Sequence, residues 1–325
     1  MINWGIIGCG DVCEVKSGPA FNKVADSRLV AVMRRNAFKA KDFALRHGVP
    51  KFYTDANELV NDPDVNAVYI ATPPSTHERY TLLSLSAGKP VYVEKPVSIS
   101  ADSVEQMIQA EKKNNGKVSV AHYRRGLPLF KKIKQLVNEG AIGDVKLILL
   151  KTLQPQMSKI ITQTDDNWRI NPSISGGGLF HDLSPHQLDI LYWMFGEPVE
   201  VIVTAANQGK NYKAPDHTMV QAKFGDNIYF HGTWNFNVVE SSTEDTCEII
   251  GEKGSIKFSF FRVSTIELNT VDGKATIEED YPKHIQQPHI ENVVKYFRGR
   301  GPNPCPLEEA LVTMKIMDKA TLQCI

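Results

Sequence analysis

Three short motifs contain the residues of this chain whose types and spacing could do chemistry. A glycine-rich turn ends in Gly8-Cys9-Gly10, a lysine stands in Glu94-Lys95-Pro96, and an acid and a base lie four residues apart at Asp182 and His186. The first motif could bind the phosphates of a dinucleotide. The second supplies an ammonium group and the third an acid–base pair. Their order along one chain is more specific than any one of them.

The glycine-rich turn has the features of a phosphate-binding loop. It follows a predicted strand, where Gly8 permits a tight turn and Gly10 lets the backbone approach a pyrophosphate. The helix predicted after it begins near Asp11 and Val12, and its free N–H groups and positive dipole end would face the phosphates. We therefore assign these four residues and Cys9 to a dinucleotide site.

The sequence departs from the usual form of the motif at two places near this turn. Cys13 stands at the third position, where Gly or Ala is common, and Gly18-Pro19 falls where the helix should continue. The helix is therefore expected to be short or kinked. A plain turn is the alternative, because a single glycine motif is weak evidence. Its place at the start of a strand–helix series favours dinucleotide binding.

The end of the second predicted strand bears on which dinucleotide binds. An acid there would bond the 2′-hydroxyl of NAD, but the chain has Arg34 and Arg35 and no acid before Asp42. A guanidinium can bind a 2′-phosphate. We therefore expect NADP(H) to be preferred, with NAD(H) as the second candidate. Two solvated arginines at a strand end are the alternative.

Two further loops are predicted at the same edge of the sheet. One contains Thr72 and Pro73 and ends at His77, which either contacts the cofactor or caps the next helix. The other contains Glu94-Lys95-Pro96, and the proline keeps Lys95 out of helical geometry. The cofactor site is therefore predicted to include Thr72, Pro73, His77, Glu94 and Lys95.

Lys95, Asp182 and His186 are the candidate catalytic residues. An ammonium group can hydrogen-bond a substrate oxygen and stabilise its developing negative charge, although a solvated lysine is the commoner case. Asp182 and His186 would share one face of a helix, where a histidine can act as the base and a carboxylate can orient it. Pro185 suits a first turn better than a helix interior.

The candidate pair has two other interpretations. The three glycines at 176–178 would let backbone approach a ligand closely and would exclude a packed side-chain layer. A structural Asp–His hydrogen bond at a helix start is one alternative to catalysis. A zinc site is disfavoured, because no third ligand stands at a suggestive spacing, so we expect no metal.

The first 122 residues alternate strand-like and helix-like segments, which predicts a doubly wound parallel sheet of the Rossmann type. Short runs rich in Val, Ile and Tyr are typical of buried parallel strands. The strands are predicted at 3–8, 29–33, 67–71, 91–94 and 118–121, and the helices at 37–47, 54–60, 78–87 and 100–114.

Residues 123–325 are predicted to form a second domain, an α+β domain with a large, mostly antiparallel open sheet. Turn signals at Gly225-Asp226-Asn227 and Asp272-Gly273 indicate hairpins. A last helix at 307–323 is expected to pack back on one of the two domains. The strands are predicted at 145–153, 199–206, 219–224, 227–235, 247–251, 255–260 and 264–270, and two more helices at 127–139 and 187–195.

Composition excludes several classes of partner. Lys plus Arg and Asp plus Glu both total 37, so the formal net charge is zero and no basic surplus favours nucleic acid or an anionic membrane. No apolar run approaches the length of about 20 residues that spans a bilayer. The five cysteines lack CxxC spacing, which favours free thiols in the cytoplasm.

In combination the motifs resemble the glucose–fructose oxidoreductase / inositol dehydrogenase (Gfo/Idh/MocA) family over nearly the whole chain. The resemblance extends to residues 71–77, Tyr123-Arg124-Arg125 and Trp168-Arg169. It implies hydride transfer between a nicotinamide dinucleotide and a sugar, polyol or related diol, with Lys95, Asp182 and His186 beside the nicotinamide. It also implies that Tyr123, Trp168 and Arg169 bind the substrate, and that the open sheet forms a homodimer or homotetramer.

Two other functions remain open from the sequence. Some members of this family hydrolyse glycosides through transient oxidation by tightly held NAD, and Arg34 in place of an acid argues against that activity. A non-catalytic NADP(H)-binding regulator is the other possibility. A regulator needs no acid–base set, so Lys95, Asp182 and His186 together favour a dehydrogenase.

Overall fold

The computed structural model describes residues 1–158, 160–161 and 167–322. Contacts between Cα atoms divide the chain into two compact units. The N-terminal unit comprises Met1–Leu127 and Pro282–Met314, and the C-terminal unit comprises Pro128–Tyr281 and Lys315–Ile325, where residues 323–325 are not described.

The N-terminal unit contains a six-stranded parallel sheet. Its order, β3-β2-β1-β4-β5-β6, confirms the predicted doubly wound fold. The order reverses between β1 and β4, and ligands bind at such a reversal, outside the carboxyl ends of the strands. The strands are β1 Ile2–Ile7, β2 Ser27–Met33, β3 Lys51–Tyr53, β4 Ala67–Ile70, β5 Val91–Val93 and β6 Val118–Val120.

The helices around this sheet agree with the predicted positions to within about two residues. Helix α3 has the predicted bounds because Asn36 caps its start by accepting from the Lys39 N–H, and Gly48 ends it with a left-handed φ of +64°. The helices of this part of the chain are α1 Asp11–Val15, α2 Gly18–Phe21, α3 Ala37–His47, α4 Ala56–Asn61, α5 His77–Ser86 and α6 Ala101–Lys113, with 3-10 turns at Pro74–Thr76 and Tyr123–Gly126.

A single apolar core joins the first and the last parts of the N-terminal unit. Trp4 is fully buried, and its ring lies 4.8 Å from that of Phe21 and 5.7 Å from that of Phe297, centroid to centroid. Ile290 and Val293 belong to the same core. The segment from Pro282 to Met314 is therefore part of the Rossmann unit.

The C-terminal unit contains an eight-stranded sheet of order β14-β13-β12-β11-β7-β10-β9-β8. Its neighbours are antiparallel except for the parallel pair β7–β10, which confirms the predicted mostly antiparallel sheet. Both predicted hairpins are present, at β9–β10 and β13–β14. The strands are β7 Val145–Leu153, β8 Pro198–Ala206, β9 His217–Phe224, β10 Ile228–Asn235, β11 Glu244–Gly251, β12 Gly254–Phe258, β13 Thr265–Thr270 and β14 Gly273–Glu278.

Helices pack against one face of this sheet. The buried Gln187 of α9 donates to Thr152 on β7 (2.6 Å) and accepts from the Trp234 indole on β10 (2.7 Å). The remaining helices are α7 Pro128–Asn138, α8 Pro172–Ser175, α9 Gly178–Phe195, α10 Gln287–Phe297 and α11 Leu307–Thr321, with 3-10 turns at Trp168–Ile170 and Glu240–Ser242. No helix among the described residues is long and apolar enough to cross a membrane.

The observed units depart from the predicted division at residues 122 and 123. Tyr123 through Leu127 and the return segment from Pro282 lie in the N-terminal unit. The return segment shares the core of this unit through Ile290 and Val293. Helix α11 crosses the division between Met314 and Lys315, and its first half contacts the Rossmann unit through the Glu309–Arg125 ion pair. The predicted helix end, Gln323, lies outside the described residues.

Candidate functional site

The glycine-rich turn is shaped by Gly8. Its φ is +93°, and a Cβ at this position would lie 2.6 Å from Cγ2 of Thr72. The N–H groups of Gly8 and Cys9 both donate to the Met33 carbonyl, at 2.9 and 3.3 Å, so the turn is fastened to the end of β2. Glycine is therefore required here by the protein itself.

Gly10 is different, because nothing in the protein requires it to be glycine. A Cβ there would meet only the Gly8 carbonyl, at 4.0 Å. The open space borders the first turn of α1, where the N–H groups of Asp11 and Val12 have no acceptor within the helix. This space and these donors fit the pyrophosphate of a dinucleotide.

The first helix is short, as predicted. It ends at Val15, and α2 begins at Gly18, whose Cβ would lie 2.2 Å from the Cys13 carbonyl oxygen. Cys13 is fully buried, with Sγ 3.8 Å from the Gly8 carbonyl, so a small side chain is needed at the third fingerprint position. Burial raises the pKa of the Cys9 thiol to about 11, which leaves it protonated at neutral pH.

Arg34 lies next to the glycine-rich turn. Its Nη1 donates to the Cys9 carbonyl at 3.3 Å, and its side chain is half-buried, whereas Arg35 is exposed. The first acid after β2, Asp42, forms an ion pair with Arg46 (2.7 Å) on the surface of α3. The end of β2 therefore places a guanidinium, and no carboxylate, beside the glycine-rich turn.

His77 lies between two main-chain carbonyl groups. It is fully buried, with Nε2 2.7 Å from the Thr72 carbonyl and Nδ1 3.0 Å from the Pro96 carbonyl. It is the first residue of α5 and does not cap that helix. Burial lowers the pKa of His77 to about 4, so the ring is neutral and donates to one carbonyl only. The ring connects the loop of Thr72 and Pro73 to the turn after Lys95.

The carboxylate of Glu94 is engaged inside the protein. Oε1 accepts from the Tyr69 hydroxyl (2.5 Å) and the Gln286 amide (2.6 Å), and Oε2 accepts from the Lys95 main-chain N–H (3.1 Å). Lys95 itself is half-buried at the carboxyl end of β5. Glu94 therefore supports the turn that carries Lys95.

Asp182 and His186 both lie on α9, one helical turn apart, as the spacing predicted. The helix begins at Gly178, earlier than the predicted start at 187, and it contains Pro185 in its interior. Pro185 has no N–H to donate to the His181 carbonyl, so one helical hydrogen bond is missing within the turn that carries the pair. The buried His186 ring packs edge-on against Phe261, with centroids 5.8 Å apart.

Arg169 brings a cation to this pair. Its Nε donates to Oδ2 of Asp182 at 3.2 Å, and its guanidinium lies 4.4 Å from the centre of the Trp168 ring. Its buried Nη1 has no acceptor among the described residues. Asp182, His186, Trp168 and Arg169 therefore form one cluster in the C-terminal unit.

Packing within the unit explains two of the three glycines before this cluster. A Cβ on Gly177 would lie 2.2 Å from the His181 ring, and one on Gly178 would lie 2.7 Å from Cβ of Ala214 and 3.2 Å from the Tyr212 ring. The expectation that these glycines exclude a packed side-chain layer is therefore wrong. Burial lowers the pKa of His181 to about 3, which makes it a neutral core residue.

Tyr123 is the remaining predicted substrate residue. It is buried in a 3-10 turn of the N-terminal unit, with the guanidinium carbon of Arg124 5.5 Å from its ring centre. Sequence reasoning missed Phe261 against His186 and Gln286 against Glu94. No local pattern marks either residue, because each meets its partner across a long stretch of chain.

A Rossmann sheet with a glycine-rich turn, followed by a unit with a large open sheet, is the architecture of two-domain nicotinamide-dependent dehydrogenases. Residues 2–122 match the family profile "Oxidoreductase family, NAD-binding Rossmann fold", and residues 130–257 match the "GFO/IDH/MocA C-terminal domain". The chain belongs to the Gfo/Idh/MocA family and is an NAD-binding oxidoreductase.

Individual relatives agree with this assignment. Oxidoreductase P35 of Formosa agariphila is 47% identical over 320 residues, which cover 98% of this chain and 97% of that protein. The 1,5-anhydro-D-fructose reductase of Ensifer adhaerens is 24% identical over 312 residues, 93% of this chain and 90% of its own. A levoglucosan dehydrogenase, solved with NADH and levoglucosan, shares the fold with a TM-score of 0.86 and 22% identity over 99% of this chain and 96% of its own.

Proposed function

We propose that this protein transfers a hydride reversibly between NADP(H) and the carbinol carbon of a sugar, polyol or related diol. The observation that carries the proposal is the cluster on α9, where Asp182 and His186 lie one turn apart and Arg169 binds the carboxylate at 3.2 Å. An acid–base pair of this kind suits the removal of a hydroxyl proton as a hydride leaves.

The cofactor would be held by the N-terminal unit. The glycine-rich turn, Asp11 and Val12 would bind the pyrophosphate, and the loop of Thr72 and Pro73 would border the dinucleotide at the reversal of strand order. When bound, the nicotinamide accepts or donates the hydride. Arg34 supports a preference for NADP(H), because its half-buried guanidinium already lies against the turn, at the Cys9 carbonyl.

His186 and Lys95 would share the substrate oxygen. In oxidation His186 takes the hydroxyl proton, and the Lys95 ammonium donates a hydrogen bond to the same oxygen and stabilises its negative charge. The two roles can be exchanged, with Lys95 carrying the proton. Asp182 would anchor a neighbouring hydroxyl or orient His186, and Arg169 binds that carboxylate at 3.2 Å.

Trp168 and Arg169 would bind the body of the substrate. The buried Nη1 of Arg169 needs an acceptor, and a sugar or polyol hydroxyl oxygen supplies one. We assign Tyr123 to the same role, on the resemblance to the family. Relatives named for anhydrofructose and levoglucosan support a carbohydrate-like substrate.

We also propose that two copies of the chain associate through the open face of the eight-stranded sheet. Leu149, His231, Gln221 and Ile202 form one row across β7, β10, β9 and β8, because they are paired in register. Leu149 and Ile202 are 37% and 63% exposed, and Met219 and Tyr229 lie on the same face. A second sheet packed on this face would bury these side chains, in a homodimer or within a homotetramer.

A cytoplasmic location is proposed from the cysteines. The four described cysteines carry free thiols, and all four are buried. Free thiols are typical of a reducing compartment.

The experiment that tests the function follows nicotinamide absorbance with the purified protein. NADP(H) and NAD(H) are supplied separately against polyols, aldoses and dicarbonyl sugars. Turnover of one compound with a clear preference for NADP(H) is the expected result. Silence across the panel with intact cofactor binding would contradict it and would favour a glycosidase or a regulator.

The same assay tests Lys95. Lys95→Ala is expected to lower turnover by about 10²–10³-fold, because a preorganised donor to a developing oxyanion is lost. The affinity for the cofactor should change much less. Lys131→Ala, at an exposed position on α7, is the matched control. Near-normal turnover of Lys95→Ala would exclude the proposed role.

A further inference from the structure

Gln286 connects two parts of the N-terminal unit that the chemistry uses. Its side-chain Nε2 donates to Oε1 of Glu94 at 2.6 Å, across 192 residues of sequence. Its main-chain N–H donates to the carbonyl of Lys16, just after α1, at 3.3 Å. One residue therefore contacts both the turn of Lys95 and the end of the helix that follows the glycine-rich turn.

Glu94 connects Gln286 to the backbone of Lys95. Its other oxygen, Oε2, accepts the main-chain N–H of Lys95 at 3.1 Å, while Tyr69 occupies Oε1 together with Gln286. Hydrogen bonds to an ionised carboxylate are stronger than neutral ones. The orientation of the Glu94 carboxylate therefore fixes the backbone of Lys95.

The hydrogen-bonded residues around Gln286 are buried, and both polar atoms of its side-chain amide have partners. Gln286, Tyr69 and Tyr92 are fully buried and Glu94 is nearly so. The Tyr92 hydroxyl donates to Oε1 of Gln286 at 3.2 Å, so both ends of the amide are used. In such an environment each hydrogen bond is strengthened, and the loss of one member leaves the others without a partner. Burial is also the main reason that the pKa of Tyr69 is raised well above its usual value.

A second residue of the same segment contacts the same helix. His284 Nδ1 lies 2.7 Å from the carbonyl of Val15, the last residue of α1. The helix α1 spans only Asp11–Val15, so its end lies one turn from the donors assigned to the pyrophosphate. A displacement of the segment from His284 to Gln286 would therefore reach both the phosphate site and Lys95.

We propose that Gln286 is a positioning residue that holds Lys95 in register with the dinucleotide turn. The inference rests on the proposed function in one respect, namely that Lys95 acts on the substrate oxygen. The side-chain amide sets the Glu94 carboxylate, and the carboxylate sets the Lys95 backbone. The main-chain hydrogen bond from Gln286 to the Lys16 carbonyl connects these residues to the end of α1.

The test compares Gln286→Met with a matched loss of a structural amide. Methionine keeps the length and apolar volume of the side chain and removes both amide bonds, while the main-chain N–H to Lys16 remains. Asn303→Leu is the control, since Asn303 donates to the Val118 carbonyl and accepts from the Cys305 N–H in the same unit, away from Glu94. Hydrogen exchange of the Lys95 amide, the Kd of NADP⁺ and the turnover number are measured for both.

Gln286→Met is expected to speed exchange of the Lys95 amide at least about fivefold, the effect of weakening one net hydrogen bond. Turnover should fall by more than about tenfold while the Kd of NADP⁺ stays within about threefold, because α1 keeps its main-chain contact. Asn303→Leu should lose stability without either change. Unchanged exchange at Lys95, or unchanged turnover with faster exchange, would overturn the proposal.

Tyr92→Phe protects the test against a failure of Gln286→Met to fold. This variant removes only the Tyr92 hydroxyl that donates to Gln286. Faster exchange at Lys95 and lower turnover are again expected, at a smaller size, and their absence would also overturn the proposal. Exchange at Lys95 is measured without substrate. A wild-type enzyme that shows no turnover would therefore contradict the proposed function, while the exchange data still decide whether Gln286 holds the Lys95 backbone.

Discussion

Arg169 and Asp182 form an ion pair in which Nε donates to Oδ2 at 3.2 Å, and both side chains are largely buried, at 14% and 12% exposure. The pair links the 3-10 turn of Trp168 to the helix of His186. A buried carboxylate beside a general base needs a cation or donors to remain charged. Arg169 meets that need, and its buried Nη1 has no acceptor in the part of the chain that the structure describes.

The pair should behave as one unit in mutagenesis. Arg169→Met removes the guanidinium that binds the Asp182 carboxylate. The KM for substrate should therefore rise, and the free energy of unfolding should fall by about 3–5 kcal/mol. In the double variant with Asp182→Asn, the coupling energy should be about 1–3 kcal/mol. Chemical denaturation and steady-state kinetics give both quantities, with the exposed Arg262→Met as control. Strictly additive effects would show that the two residues act separately.

Gly8 and Gly10 should differ in what their replacement by alanine does. Gly10→Ala should keep its stability within about 0.5 kcal/mol, because its Cβ meets only an oxygen at 4.0 Å, but should weaken dinucleotide binding at least about tenfold. Gly8→Ala should weaken dinucleotide binding and, unlike Gly10→Ala, should destabilise the fold by about 1–3 kcal/mol, because Gly8 has a φ of +93°.

Gly48→Ala is the matched control for these two variants. Gly48 has a φ of +64° and open space around its Cβ position, at the end of α3. It should lose about 1 kcal/mol of stability and no cofactor affinity. Thermal unfolding and a fluorescence titration measure both. A Gly10→Ala variant that binds the dinucleotide normally would remove the phosphate assignment.

Arg34→Asp should shift the preference from NADPH toward NADH. The guanidinium is lost, and the new carboxylate repels a 2′-phosphate, so the ratio of affinities should change by about ten- to a hundredfold. Arg35→Asp should change the ratio less, because Arg35 is exposed while Arg34 contacts the Cys9 carbonyl. Titration of each variant with both reduced cofactors decides the matter. If both variants change the ratio of NADPH to NADH affinity equally, the assignment of Arg34 to the 2′-phosphate is contradicted.

The lowered pKa of His77 should make the stability of the protein depend on pH. Burial lowers the pKa of His77 to about 4, below its usual value of 6.5, so the folded state binds fewer protons than the unfolded state. This contribution is therefore present above pH 6.5 and lost as the pH falls toward 4, with a size of about 3 kcal/mol. Denaturation at several pH values should show a shallower acid decline for His77→Gln than for the wild type. A steeper decline would indicate that the two carbonyls keep the ring charged.

Charges on the open sheet face should break the proposed oligomer. Ile202→Lys and Leu149→Lys each replace an exposed apolar side chain of that row with an ammonium group, which disfavours burial of that face. Light scattering should show a lower mass for each variant than for the wild type. Val271→Lys, at an exposed position next to the β13–β14 turn, is the control. A monomeric wild type would contradict the proposal directly.

Local signals were sufficient for much of the fold. The bounds of α3 follow from a cap at Asn36 and a glycine at Gly48, and the bounds of β7 follow from a long apolar run. The strand β3 was missed because it has three residues and pairs only with β2. Helix α10 was also missed, since Gln286 gives no side-chain cap at its start and its apolar face is matched to a core formed far away in sequence.

The candidate site shows the same division. The glycine turn, Lys95, Asp182 and His186 were recognisable because each belongs to a short motif. The contacts of these residues were not predicted, since Arg169 reaches Asp182 and Gln286 reaches Glu94 only after the chain has folded. The surroundings of His77 were not predicted either, because its neighbours in sequence do not show that two carbonyls flank its ring.

The discontinuous N-terminal unit has a consequence for biosynthesis. Its core needs Ile290, Val293 and Phe297, but these residues leave the ribosome only after the whole C-terminal sheet has been translated. Until then the nascent Rossmann segment presents Trp4 and Phe21 without their last covering layer. Most of the open-sheet unit, Pro128–Tyr281, is translated before that return segment, and its remainder begins at Lys315. Nascent chains stalled before residue 282 should therefore depend on chaperones.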